Sequence, residues 1–230
     1  MPLAGSAVLA IWNGIAPEAE DEFVAWHVRE HIPERVGLPG FLKGRRYVAV
    51  DGEPKYFNFY ETERVEDLSS PTYLARLDAP TPWTKAVVAH FKDTSRTICH
   101  VAVSRGTGDG AAIMTVRLGT SQPRDAFRTA VAETVVPAVL AAPGIVAVHL
   151  LEGDTAASQQ QTAEKRLRDR ADEVDDWILL VEAVGPEALL ACRKGSAGPE
   201  ALVAAGADPA LRYGIYSLQY ALSSGQLAVA

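Results

Sequence analysis

Two cysteines in 230 residues are too few for the disulfide framework that holds small secreted domains together. Cys99 and Cys192 each stand alone on apolar segments, the usual setting of a reduced core thiol, and they predict a cytoplasmic protein. No stretch approaches the roughly 18 consecutive apolar residues of a membrane span. The opening MPLAGSAVLAIWNG carries no basic leader, so no signal peptide is expected. Positive charge is in deficit: 22 Lys and Arg stand against 29 Asp and Glu, a net charge of −7. That balance argues against nucleic acid or an anionic membrane as partner. Gly-x-Gly-x-x-Gly, the Walker loop, the Gly-x-Ser-x-Gly elbow and Cys-x-x-Cys are all missing, so nucleotide, nicotinamide and flavin chemistry lack support and no cofactor is expected. What is present is ordinary for a globular chain: 48% apolar and 22% charged residues, enough to bury a real core.

Strand and helix patterns alternate along the chain. SAVLAIWN reads as a buried strand, and APEAEDEFVAWHVREHIPERV as a helix with Pro17 near its start, acids in its first turns and Gly37 past its end. GFLKGRRYVAV and KYFNFYETE read as a hairpin around Asp51-Gly52-Glu53-Pro54. A helical region broken by Pro80 and Pro82 covers about 65–92, and SRTICHVAVSRG closes the unit. This β-α-β-β-α-β order is the ferredoxin-like split unit. It then repeats. Displacing the first unit by 104 residues aligns Asp21 with Asp125, Phe23 with Phe127, Pro33 with Pro137 and Pro39-Gly40 with Pro143-Gly144. These identities fall at punctuation and core positions, as an internal duplication requires. The expected domains are an N-terminal repeat, 1–107, and a C-terminal repeat, 108–230. The glycine-rich RGTGDGAA at 105–112 is the linker, and a polar insertion covers about 154–176.

The stretch WHVREHIPERVGLPGF, Trp26 to Phe41, concentrates the candidate chemistry. At 100° per residue, Phe23, His27, His31, Val24, Arg35 and Val28 fall in one arc of the first helix. The displaced helix carries Phe127, Val131, Val135 and Val139 in the same arc, so the positions of His27 and His31 face inward and are valine in the other copy. Burying imidazole nitrogens costs energy unless each is hydrogen-bonded. Three readings of the pair are open. One is a metal site, zinc or haem, at His27, Glu30 and His31, since His-x-x-Glu-His is the inverted zincin pattern. Another is core histidines satisfied by neighbouring backbone or tyrosine hydroxyls. The third is a ligand pocket between helix and sheet, where neutral imidazoles bind or transfer protons.

A first helix reading Trp26-His27-x-x-x-His31-Ile32-Pro33-Glu34, followed by Pro39-Gly40-Phe41 and Arg46-Tyr47, resembles the dimeric α/β-barrel superfamily, and within it the EthD-like and related uncharacterised proteins. The resemblance covers the whole chain as a fold but only 1–107 as a motif. It implies an α+β architecture in which two ferredoxin-like repeats pack sheet against sheet as an intrachain dimeric α/β barrel. It also implies a range of chemistries, from cofactor-free monooxygenases and polyketide cyclases to lactone isomerases and haem enzymes, so fold alone does not give function.

Strand alternation supplies further candidates. Tyr56, Asn58 and Tyr60 share one face of their strand, and Asn58 and Tyr60 are the expected ligand-binding residues. Arg46 and Tyr47 point to opposite faces, so at most one joins a given pocket. Trp83, His90 and His100 read as structural or surface residues. Trp26 lies to one side of the histidine arc, and as an outward aromatic it would anchor a homodimer. The function expected is oxidation, isomerisation or cyclisation of a small hydrophobic metabolite, aromatic or lactone-like, with His27 and His31 as proton-transfer or orienting groups. The alternative is a non-enzymatic ligand-binding or structural barrel.

Overall fold

The computed structural model describes residues 3–159, 163 and 173–227. Eight antiparallel strands close into one barrel: β1 (Ala7–Ile15), β2 (Phe41–Asp51), β3 (Tyr56–Thr62), β4 (Phe91–Gly106), β5 (Ala112–Leu118), β6 (Ile145–Gly153), β7 (Trp177–Ala183) and β8 (Arg212–Ser223). Their order around the barrel is β1-β3-β2-β8-β5-β7-β6-β4. Each half therefore contributes a four-stranded ferredoxin-like sheet. The seams between halves are the β2–β8 and β4–β6 pairs. The predicted β-α-β-β-α-β order is found twice. The insertion falls mostly on 160–162 and 164–172, outside the described residues. Its first part forms a short helix, Thr155–Ser158, capped by the Asp154 carboxylate.

Strand equivalence between the halves follows from the ladders. β2 maps onto β6 with the displacement of 104 seen in the sequence, because Arg46 pairs with Asn58 as Leu150 pairs with Leu179. The same pairs map β3 onto β7 with a displacement of 121, so the C-terminal half carries 17 more residues between these strands. Pro39-Gly40 and Pro143-Gly144 recur because Gly40 and Gly144 both hold a left-handed φ, 85° and 78°, where a side chain is strained.

The first helix is one rod in three pieces: α1 (Glu20–Trp26), a π-helical turn over His27–His31, and α2 (Ile32–Val36). Its counterpart has the same pieces, Arg124–Ala130, a π-helical turn over Val131–Val135, and Val136–Leu140. In both, the residue after the turn donates its N–H five residues back, Ile32 to His27 and Val136 to Val131. Proline explains the coincidence. Pro33 and Pro137 have no N–H, and in a regular helix their rings would press on the carbonyl four residues earlier. The wider turn relieves that clash. The extra residue rotates the following segment by about 100°, bringing Ile32 and Val36 onto the sheet, where both are fully buried.

The barrel lumen is lined by Val8, Ala10, Trp12, Tyr47, Phe57, Phe59, Ile113, Ile178, Leu180 and Tyr216. At one end it holds a buried ionic network that ties the halves together. Arg45 donates to Glu61 and to Glu182, each at 2.9 Å. His149 lies 3.2 Å from Glu182 and 3.0 Å from Ser104, and the Gly110 N–H donates to Glu182 at 2.7 Å. Burial would raise the Glu182 carboxyl, but the His149 hydrogen bond and the Arg45 charge outweigh it and hold the group at about 2. Cys99 and Cys192 are buried free thiols, as their apolar settings predict. Among the described residues no helix is long and apolar enough to cross a membrane.

Candidate functional site

The helix-facing side of the N-terminal sheet carries a polar row. Across β4, β1, β3, β2 and β8, the paired residues are Arg96, Ile11, Asn58, Arg46 and Tyr220. Asn13, two pairs along and on the same face, accepts a hydrogen bond from Asn58 Nδ2 at 2.7 Å. In the C-terminal half the places of Asn58 and Arg46 are held by Leu179 and Leu150, and the ladder partner of Tyr56 on β1, Asn13, gives way to Leu118 opposite Trp177. One sheet lines its helix layer with amides and guanidinium, the other with leucine, tryptophan and valine.

His27 and His31 lie over this row. Both are buried, at 3% and 7% exposure, and their rings are parallel within 7° with centroids 5.3 Å apart. Phe23 packs on His27 at 4.5 Å. Burial, reinforced by the charge of Arg46, lowers His27 well below the ordinary 6.5, so the imidazole is a neutral base at neutral pH. Its Nδ1 and the Oδ1 of Asn58 are buried with no hydrogen-bond partner among the described residues. Arg46 is itself buried; its Nε donates to Gln219 Oε1 at 2.9 Å and its Nη1 to the Val24 carbonyl at 3.3 Å. Tyr60 is buried under α2, where Gly44 permits the approach: a Cβ there would stand 2.9 Å from the Tyr60 ring and 3.0 Å from Ile32.

The structure thus brings His27, His31, Asn58 and Tyr60 into one layer between helix and sheet, on the face that strand alternation gives them. It also separates Arg46 from Tyr47: Arg46 faces the helix, while Tyr47 faces the lumen. The homodimer expectation loses its anchor. Trp26 is not outward but 1% exposed, its ring against both imidazoles at 4.9 and 4.2 Å. Its Nε1 donates to Glu30 at 3.1 Å and to Thr84 at 3.2 Å. The helical wheel misplaced it because α3 (Pro82–Val88) covers the flank of α1, which gives that helix a second buried side. Glu30 is drawn into the same flank, accepting from Thr81 at 2.6 Å and Thr84 at 3.1 Å. Its carboxylate is therefore engaged away from the histidine pair, and among the described residues no three His, Cys, Asp or Glu side chains are grouped to hold a metal ion. His90 is exposed. His100, read as a structural or surface residue, is exposed and lies 3.2 Å from Asp154. Cavities of about 690 and 760 Å³ lie elsewhere, beside Arg117 and Arg212 and beside Arg193 and Tyr213, and neither is lined by a histidine.

The whole chain superposes on solved structures. An anthrone oxidase-like protein matches with a TM-score of 0.65 over 97% of this chain and 95% of its own, at 17% identity. A candidate monooxygenase from Fusobacterium nucleatum subsp. nucleatum matches at 0.58, 10% identity and 96% of both chains. Another from Lactobacillus acidophilus matches at 0.57, 10% identity, 95% of this chain and 97% of its own. The fold is a dimeric α/β barrel. Here both halves of the dimeric α/β barrel belong to one chain. No family model and no curated protein matches the sequence.

Sequence reasoning missed two partners in this layer. β2 alternates regularly through Arg45, Arg46 and Tyr47 against β3, but alternation alone separates Arg46 from Tyr47 without naming the face each takes. Gln219 lies 173 residues from Arg46 in the chain, beyond any local signal.

Proposed function

We propose that the N-terminal half of this barrel binds a small, flat hydrophobic metabolite between its first helix and its sheet, and oxidises it with dioxygen and no cofactor. The observation that carries the reading is the asymmetry of the two halves. The architecture is met by Val131, Val135, Leu150 and Leu179 in one copy, yet the other keeps His27, His31, Arg46 and Asn58 at the cost of burying them. The name of the anthrone oxidase-like relative in fold supports the substrate class, an activated methylene between aromatic rings or beside a carbonyl. The two free buried thiols fit a cytoplasmic protein.

Neutral His27 takes a proton from the methylene. The carbanion reduces dioxygen and combines with it, and the imidazolium returns its proton to give a hydroperoxide. His31 then removes the second carbon-bound proton as the O–O bond breaks. That proton joins the departing hydroxide, so the methylene and dioxygen become a carbonyl and water. Asn58 and Tyr60 line the ring of the substrate. The test is dioxygen uptake with anthrone as substrate. The wild type should exceed the uncatalysed rate, and His27→Val with His31→Val should fall to it. A wild-type rate equal to buffer would overturn the oxidation. Binding without turnover would make the barrel a carrier.

A further inference from the structure

Arg45 and Arg46 are neighbours in sequence, both nearly inaccessible at 0% and 2% exposure, and they are treated oppositely. In the lumen, Arg45 is met by two buried carboxylates, Glu61 and Glu182, each 2.9 Å away. On the helix side, the acceptors of Arg46 among the described residues are neutral, Gln219 Oε1 and the Val24 carbonyl, with the Phe23 ring 5.9 Å from its guanidinium carbon. Among the described residues no carboxylate lies within 4 Å of it. A buried cation without a counter-charge costs several kcal/mol, and the equivalent Leu150 shows that the fold does not need it. Burial acts on this guanidinium in the expected sense, disfavouring its charge.

We infer that Arg46 is the anion-binding residue of the helix-side pocket, and that the ligand carries an acidic hydroxyl, a phenol or an enol, which is held there as the oxyanion. The inference rests on the proposed pocket and narrows its substrate class to hydroxylated aromatic ketones. The chemistry is consistent. When His27 takes a proton from such a ligand, an imidazolium forms beside Arg46, and the ligand oxyanion between the two cations offsets their repulsion. Gln219 acts as a positioning residue: it holds Nε from the C-terminal half and turns the remaining guanidinium face toward the layer of His27 and Asn58. The site is then incomplete without the second half, although that half has no histidine pair of its own.

The experiment uses a hydroxyanthraquinone and its methyl ether, unreactive probes that differ only in the ionisable hydroxyl. Binding is followed by visible absorption at a pH where the free phenol is neutral. The wild type should bind the hydroxyl form as its anion, with the red-shifted band, at least about tenfold more tightly than the ether. Arg46→Leu, which borrows the residue of the other half, should fold and bind the two probes alike without the anion band. Gln219→Leu should weaken the preference for the hydroxyl form, and an undiminished preference would overturn its positioning role. Equal wild-type affinities, or an anion band that survives in Arg46→Leu, would overturn the role of Arg46 and leave the pocket standing. Binding of neither probe would overturn the pocket and the inference together.

Discussion

His27 and Val131 open the same π-helical turn, one in each half of the barrel and 104 residues apart. The turn belongs to the prolines that follow it, Pro33 and Pro137, so it is architecture and carries no functional meaning by itself. The imidazole is different. It occupies a place that valine fills without difficulty, and it sits there nearly inaccessible, with Nδ1 lacking a partner among the described residues.

The buried imidazole predicts an acid-sensitive limb. With its folded value well below the ordinary 6.5, the unfolded chain binds a proton that the folded chain refuses over the interval between the two values. Stability should therefore be fully present above about 6.5 and fall as pH drops below it. Urea unfolding at a series of pH values should show this limb in the wild type and a shallower one in His27→Val. Identical limbs would mean that another group sets the dependence.

Trp26 should behave as a core residue. Trp26→Phe removes the hydrogen bonds to Glu30 and Thr84 and should cost about 1–3 kcal/mol without changing the sedimentation coefficient. A dissociated species in the variant would restore the outward reading of this side chain.

The lumen network should be fragile to single removal and tolerant of wholesale replacement. Glu182→Gln leaves Arg45 with Glu61 as its one buried carboxylate and takes the carboxylate from His149, and should cost about 3–5 kcal/mol, whereas apolar replacement of Arg45, Glu61 and Glu182 together should be close to neutral. The contribution of Glu182 is present above its ordinary carboxyl value of 4.5 and lost as pH falls toward about 2. Acid unfolding of the triple variant should lose that component.

Much of this molecule was legible in its residues. Punctuation by Pro39-Gly40 and Pro143-Gly144 revealed the duplication. Alternation in KYFNFYETE put Asn58 and Tyr60 on one shared face, and the valines at 131 and 135 showed that the histidines face inward. Three things were not legible, each for a physical reason. The π-helical turn shifts the phase of the wheel, so Ile32 and Val36 were missing from the buried arc. The packing of α3 on the flank of α1 buries Trp26 and engages Glu30, a tertiary effect with no local period. The Arg46–Gln219 bond joins strands from opposite halves across the β2–β8 seam.

The central claim is that the polar layer beneath the first helix is kept for a ligand and not for folding. The most direct test is the free energy of unfolding of His27→Val with His31→Val, compared with wild type by chemical denaturation at neutral pH. The account predicts a double variant at least as stable as wild type, because it removes buried polar groups from a place the other half fills with valine. A loss of several kcal/mol would contradict it and make the pair a bonded part of the core.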